Sequence, residues 1–454
     1  MLSPRTFYSF ALWLLLPYIF VRLAWRARKQ PEYLHHIAER FGFYTQRNEQ
    51  PVIWLHAVSV GETRATQSLV IRLRTTYPNH RILLTHTTPT GRAASEQLYG
   101  DDVMRVYLPY DYPFAVRRFL HHFRPQLGML METEIWVNLI HACREAGTPL
   151  LLLNGRMSEK SARGYANFEK LTRPALEELT SVAAQTIDDA ARLTALGARN
   201  ISVMGNLKFD IEPPPAMLAL GKQLREMFGA GRKVFLAAST RDGEEVLLLD
   251  ALAQIHNFTV RGEPVEPPAT NPKPFDTAFS PEHVEGSRAN RNLLVVIVPR
   301  HPQRFDEVAN LLEQRGIAYQ RRSENKPVSL EISVVLGDSM GEMFAYYAAA
   351  DLAFIGGSLL PLGGQNLIEA CAVGTPVLIG PHTFNFAEAT QLATRNGAAI
   401  QVHEANELVS EMQRLLDDPE ALRGMRQQCL DFVGLNRGAT DKAMQHIGSL
   451  INEI

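Results

Sequence analysis

Residues 51–75 read PVIWLHAVSVGETRATQSLVIRLRT. Val52–Ala57 is a short apolar run of the kind that forms a strand buried inside a sheet. A turn of small residues follows, and Thr63–Thr75 then places Ala65, Leu69, Val70 and Leu73 on one helical face. Strand, turn and helix in that order make half of a βαβ unit, and the chain repeats the pattern. Further strands are expected at Ile82–Thr87, Val103–Leu108, Leu127–Met131, Leu150–Leu153, Val182–Gln185 and Ile201–Met204. Pro213-Pro214-Pro215 interrupts the rhythm and marks a domain boundary. A second series follows at Val234–Ala238, Leu293–Val298, Ile317–Gln320, Val334–Leu336, Leu352–Ile355 and Val377–Ile379. The sequence thus predicts an α/β protein of two doubly wound, Rossmann-like domains facing a cleft, with ligands held beyond the C-terminal strand ends.

The composition agrees with two ordinary globular domains. The chain has 454 residues, too many for one core. Lys plus Arg is 46 against 48 Asp plus Glu, for a net charge of −2, which argues against a nucleic-acid binder. Cys143, Cys371 and Cys429 are far apart, so neither a disulfide framework nor a structural zinc site is expected. The sole G-x-G, Gly229–Gly231, runs on into Arg232-Lys233-Val234 and is no dinucleotide fingerprint. No phosphate-binding G-x-x-x-x-G-K-[ST] loop, H-E-x-x-H or D-x-D pair occurs, so no metal is expected. Val260–Asn292 holds six prolines and no apolar periodicity, where a strand should follow within a few residues. It reads as an exposed, mobile insertion, and its wording resembles a translated bacterial repetitive element.

The N-terminus departs from this pattern. Phe7–Val21 reads FYSFALWLLLPYIFV, without a charge. As a helix, roughly 15–17 residues cover about 24 Å, slightly less than a hydrocarbon core of about 30 Å. Arg22, Arg26, Arg28 and Lys29 follow, while only Arg5 precedes. That asymmetry predicts a membrane anchor with the body of the chain in the cytoplasm. The basic flank suits anionic lipid headgroups, and a cleaved signal peptide fits less well because no small-x-small site follows. The anchor either spans the bilayer or lies in its interface, with Pro17 able to kink it. The expected division is an anchor with its basic flank over 1–30, one Rossmann-like domain over 31–212 and a second over 213–454, the last containing the insertion at 260–292.

Chemistry-bearing residues collect at strand–helix junctions. Trp54–Glu62 carries Glu62 into the first turn of a helix, where the dipole favours its ionised form. A carboxylate there can accept a proton from a hydroxyl, or can simply cap the helix. Ala57-Val58-Ser59-Val60-Gly61 lacks the first glycine of a nucleophile elbow. Glu132 and Glu134 follow the strand ending at Met131. At most one of them is expected to face the cleft, the other capping the next helix. Asn154–Ser158 and Gly205–Asp210 end two more strands, the latter offering Lys208 to an anionic group. In the second half, Ala237–Thr240 opens a helix whose N-terminus suits an anion. Arg300 leaves a strand end with a guanidinium suited to phosphate or carboxylate. Gly337–Glu342, the four glycines among Gly356–Gly364, Asn366 and Glu369 on one helix face, and Gly380–Phe386 complete what looks like a nucleotide site.

In order, WLHAVSVGE (54–62), ETEIW (132–136), NGRMS (154–158), GNLKFD (205–210), PRHP (299–302), GDSMGE (337–342), GGSLLPLGGQNLIE (356–369) and GPHTFNF (380–386) resemble bacterial 3-deoxy-D-manno-octulosonic acid (Kdo) transferases. The resemblance covers nearly the whole chain and excludes only Val260–Asn292. It implies the two-domain GT-B fold with an N-terminal membrane-anchor helix. It implies transfer of Kdo from CMP-Kdo to the tetraacyldisaccharide precursor of lipid A at the cytoplasmic face of the bacterial inner membrane. CMP-Kdo would be the donor substrate, with no further cofactor, no nucleic acid and no obligate protein partner. Carried over by residue, Glu62 would be the general base, with Glu132 and Lys208 supporting the transition state. Pro299, Arg300, Met340, Gly341, Glu342, Asn366, Leu367, Ile368 and Glu369 would bind CMP. Many relatives carry His where this chain has Gln365; either residue can donate a hydrogen bond. Two other classes remain in view: a soluble-substrate glycosyltransferase using a nucleoside diphosphate sugar, and a membrane-tethered binding protein with no use for Glu62.

Overall fold

The computed structural model describes residues 3–28, 30–46, 48–254 and 292–451. Residues 260–291 of the expected insertion lie outside them. The chain forms two compact units, one from the residues up to Asp210 together with those from Asn436 onward, the other from Ile211–Leu435.

The first unit is built on seven parallel strands: β1 (Val52–His56), β2 (Arg81–His86), β3 (Met104–Tyr107), β4 (Pro125–Met131), β5 (Leu150–Gly155), β6 (Ser181–Ala184) and β7 (Ile201–Val203). Their order is β3-β2-β1-β4-β5-β6-β7. All five residues of β1 are buried, and they alternate between two cores. Val52 and Trp54 face one core, Ile53 and Leu55 the other. Trp54 fits because its neighbour on β4 is Gly128, where a Cβ would meet the indole at 2.6 Å. The Trp54 indole N–H donates to Thr85 Oγ1 at 2.8 Å, so the ring brings no unpaired polar group inside. The helix after β1 starts at Val60, three residues earlier than its apolar face suggests, because Ser59 caps it. It breaks at Thr66 into Val60–Ala65 and Gln67–Thr76.

The second unit repeats the plan with β8 (Lys233–Thr240), β9 (Leu293–Pro299), β10 (Tyr319–Arg321), β11 (Val334–Leu336), β12 (Leu352–Ile355), β13 (Val377–Ile379) and β14 (Ala399–Gln401). The order is β10-β11-β9-β8-β12-β13-β14, again parallel throughout. β14 has no counterpart in the sequence reading; it is three residues at the edge of the sheet.

Two expectations need correction. The single anchor helix is two helices, Pro4–Leu14 and Leu16–Ala27, bent by 48°. Among the described residues no single helix is long and apolar enough to cross a membrane, though the bent pair passes by length and composition. Its outer face exposes Phe7, Phe10, Leu14, Tyr18, Val21 and Trp25. The second correction concerns the domain limits. Helix Ala439–Ile451 falls in the first unit, not the second, and buries Ala439, Ala443 and Ile447 in the core that also holds Leu69, Val70 and Leu73. Asp210 fastens it: its carboxylate accepts from Gly438 N at 2.7 Å and from Thr440 N. Two orphan amides of the helix start are thereby satisfied. Asp210→Ala should destabilise the first unit by roughly 1–3 kcal/mol. Hydrogen exchange should report faster exchange at Gly438 and Thr440, with the second unit unchanged.

Candidate active site

The carboxyl of Glu62 is held at the end of β1 by a variant of the capping box. Glu62 N donates to Ser59 Oγ at 3.3 Å, and Ser59 Oγ donates to Glu62 Oε1 at 2.8 Å. Glu62 Oε2 accepts from Val58 N at 2.8 Å, one residue before the cap. Capping and availability for proton transfer therefore coincide in one side chain. Burial pushes the Glu62 carboxyl up to about 7; the bond from Val58 opposes this, and the charge of Glu132 adds to it.

Neither Glu132 nor Glu134 caps the next helix, against the expectation that one would: Glu132 pairs with Lys208 and Glu134 with the Trp136 indole. The reason is local. Glu132 has φ 57, a left-handed backbone at the end of β4 that redirects the chain. Helix Val137–Glu145 takes its cap from Asp111 instead, which accepts from Asn138 N at 3.0 Å and Leu139 N at 2.8 Å. Glu134 accepts from the Trp136 indole N–H at 2.6 Å, and burial raises its carboxyl above the usual range.

Lys208 Nζ donates to Glu132 Oε1 at 3.2 Å. A ladder of amides places it. Asn154, left-handed at φ 53, accepts Leu207 N on Oδ1 at 3.1 Å. Gln185 Nε2 donates to Asn154 O at 3.0 Å, Asn206 Nδ2 donates to Gln185 Oε1 at 3.1 Å, and Asn206 Oδ1 accepts Lys208 N at 3.0 Å. Two neutral imidazoles end β1 and β2, the first with its Nε2 4.0 Å from Glu134 Oε2. His56 Nδ1 donates to Thr85 O at 3.0 Å, and burial presses its pKa down to about 3. His86 Nδ1 donates to Ala57 O at 2.7 Å, and burial presses its pKa to about 4. The site thus gathers three carboxyl groups, one ammonium and uncharged histidines. That set can take a proton from a hydroxyl and hold a cation beside the reacting atoms.

In the second unit, the helix expected to open after β8 carries its own carboxylate at its start. The helix is Glu244–Ala253, and Glu244 accepts from Arg241 N at 2.9 Å, Gly357 N at 2.6 Å and Leu359 N at 3.1 Å. Glu244 is 0% exposed and so pins the glycine-rich segment to the strand ends. Gly356 is required there, since a Cβ would lie 2.5 Å from Ser239 O. Glu245 takes Arg304 in a two-pronged pair at 2.7 and 3.0 Å. Arg300 Nε donates to Gln365 Oε1 at 3.2 Å, so the Gln365 amide accepts here. Glu342 accepts from Ser339 Oγ at 2.6 Å and lies 3.3 Å from Arg322 Nε. Met340 is exposed and Gly341 has φ 81 beside it. Asn366 Nδ2 donates to Glu369 Oε1 at 3.2 Å, while Leu367 and Ile368 are core side chains that offer a ligand only backbone. Pro299 ends β9 opposite Thr240.

Sequence reading missed Asp111, Gln185, Glu244 and the histidine pair. Their partners lie far away in the chain; only Glu244, in the first turn of a helix, carried a positional signal.

The family described as 3-Deoxy-D-manno-octulosonic-acid transferase (kdotransferase) matches residues 35–211, and glycosyl transferases group 1 match residues 317–429. A 3-deoxy-D-manno-octulosonic acid transferase of Bordetella pertussis is 40% identical, covering 97% of this chain and 98% of its own length. That of Haemophilus influenzae is 33% identical over 97% of each. A solved glycosyltransferase of Rickettsia africae shares the fold, at a TM-score of 0.53 and 12% identity, over 89% of this chain and 99% of its own. With near full-length identity at these levels, and with two parallel-sheet units carrying polar residues at their strand ends, the chain belongs to the family of 3-deoxy-D-manno-octulosonic acid transferases.

Proposed function

We propose that the protein moves Kdo from CMP-Kdo to the tetraacyldisaccharide precursor of lipid A, lipid IVA, by a single inverting displacement with Glu62 as general base. Family membership supports Kdo as the group transferred. The observation that carries the mechanism is the Glu62 carboxyl, buried, hydrogen-bonded by Ser59 and Val58, and raised to about 7. A base with that pKa matches neutral pH, where Brønsted behaviour is most favourable. In this reading Glu62 takes the proton from the acceptor's primary hydroxyl. The oxygen forms a bond to the anomeric carbon from the opposite side, the bond to the phosphate oxygen breaks, and CMP leaves with the electron pair. Lys208, steadied by Glu132, and Arg300 offset the negative charge that develops.

Pro299, Arg300, Met340, Gly341, Glu342, Asn366 and Glu369 hold CMP, with Leu367 and Ile368 contributing through backbone. The donor has one phosphate, so neither a metal ion nor a further cofactor takes part. No nucleic acid or obligate protein partner is involved. The exposed apolar face of the two N-terminal helices, with the basic residues after it, holds the enzyme at the cytoplasmic face of the bacterial inner membrane, where the acceptor keeps its acyl chains.

Product mass after incubation of the detergent-purified protein with lipid IVA, CMP-Kdo and a chelator tests the reaction. A gain of one Kdo mass or more is expected, and no gain would refute it. Glu62→Gln should lower kcat by about 10²–10⁴-fold while CMP binding persists. In the wild type, kcat/KM should fall about tenfold per pH unit below pH 7, where Glu62 is protonated. The stability sign follows from the same group. Its folded pKa exceeds its ordinary 4.5, so the folded state binds the extra proton between about 4.5 and 7, and stability drops as pH rises through that window. Glu62→Gln should therefore gain thermal stability relative to wild type from pH 4.5 to 7 and hold it above. Lys208→Ala should lower kcat by about 10²-fold. Glu244→Ala, by freeing the glycine-rich segment, should weaken CMP binding as measured by calorimetry and leave the fold of the first unit unchanged.

A further inference from the structure

Helix Pro4–Leu14 is fastened to the first unit at three polar points. Tyr8 OH donates to Asp111 Oδ2 at 3.0 Å, and Ser9 Oγ donates to Asn138 Oδ1 at 3.1 Å. Leu12 O accepts from Tyr112 OH at 2.8 Å. The Trp13 ring lies 5.2 Å from that of Tyr112 and 5.4 Å from that of Phe114. Tyr8 also packs against the core on one side of the sheet. A helix serving only as a tether needs none of these contacts, because attachment to a bilayer requires apolar area and not a fixed orientation on the domain.

The partners themselves point to the site. Asp111 is 3% exposed, and its carboxylate also accepts from the backbone amides of Asn138 and Leu139. Asn138 Nδ2 returns a bond to Asp111 O at 2.6 Å. Helix Val137–Glu145 has no cap of its own at Trp136, so Asp111 supplies it. Glu132–Trp136 runs into that helix without an intervening loop, and it carries both carboxylates that act on Glu62. We propose that the first helix is a positioning element of the catalytic site, in which Tyr8 and Ser9 lock Asp111 and Asn138 and thereby fix the Glu132–Trp136 segment. The inference rests on the proposed role of that segment in Kdo transfer.

The physical link is the buried carboxyl. Burial already pushes Asp111 up to about 7, opposed by the bonds from Asn138, Leu139 and Tyr8. Without the Tyr8 hydroxyl, Asp111 loses one of three donors, takes up a proton more readily and grips the two amides less firmly. The helix start then frays toward Glu134 and Glu132.

The test uses the full chain in detergent with detergent-dispersed lipid IVA, where no bilayer attachment is needed. Tyr8→Phe combined with Ser9→Ala should raise the exchange rate of the Asn138 and Leu139 amides at least tenfold, with Gly438 and the second unit unaltered. It should lower kcat about tenfold with KM for CMP-Kdo unchanged, and Tyr8→Phe alone should give an intermediate loss. Unaltered exchange at Asn138 and Leu139 overturns the inference, and so does faster exchange with full kcat in detergent. Exchange is read whether or not Kdo moves. Absence of transfer by the wild type would count against the proposed reaction, leaving the exchange result to decide the coupling.

Discussion

A parallel strand covered on both faces has no place for a polar side chain except its ends. β1 and β5 are buried from end to end and β4 at every residue but Gln126, and each delivers its chemistry at or just after its C-terminal end: Glu62 in the first turn of the helix after a three-residue turn, Glu132 at once, Asn154 within the last two residues. The sheet thus decides where charge can stand before any ligand is considered. Two of these residues, Glu132 and Asn154, accept left-handed backbone to stand there, and Ser239 does the same at the end of β8 in the second unit. Such conformations persist because the buried strands on either side leave the chain no alternative route.

Charge at the first site is organised by subtraction. Three carboxyl groups close together would repel strongly if all were ionised. The ion pair from Lys208 to Glu132, the indole bond to Glu134 and the raised proton affinity of Glu62 divide the burden among them. His56 and His86, which could have supplied positive charge, are instead kept neutral by burial. Lys208 places a cation against this group through its pair with Glu132, which gives its amide ladder a clear purpose.

Much of this was legible in the residue pattern, because apolar runs separated by helical periods leave one economical fold. Thirteen of the strands could be read from such runs, and β14 could not, since Ala399–Gln401 has neither length nor alternation. Glu62, Glu132, Lys208 and Arg300 were legible as polar residues at strand ends. Long-range satisfaction was not. Asp111 sits in the stretch Pro109-Tyr110-Asp111-Tyr112 with nothing to announce that it caps a helix 27 residues away. The two-helix break at Leu15 was visible only as Pro17, and the spacing of Glu132 and Glu134 suggested opposite faces until φ 57 was known. Glu244 was missed for a related reason: the donors to its carboxylate, Gly357 and Leu359, lie more than a hundred residues away.

The chain leaves the first unit after Asp210 and comes back to it at Asn436. Helix Ala439–Ile451 closes one of the two cores there, over Leu69, Val70 and Leu73. Synthesis runs from the N-terminus, so the strands of the first unit emerge long before that helix does, and the whole second unit is made in between. During that interval this core has helix Gln67–Thr76 over it but lacks the helix that completes its cover. The half of the molecule that is translated first is the half that finishes folding last, and its exposed leucines and valines are what a chaperone would meet on the ribosome.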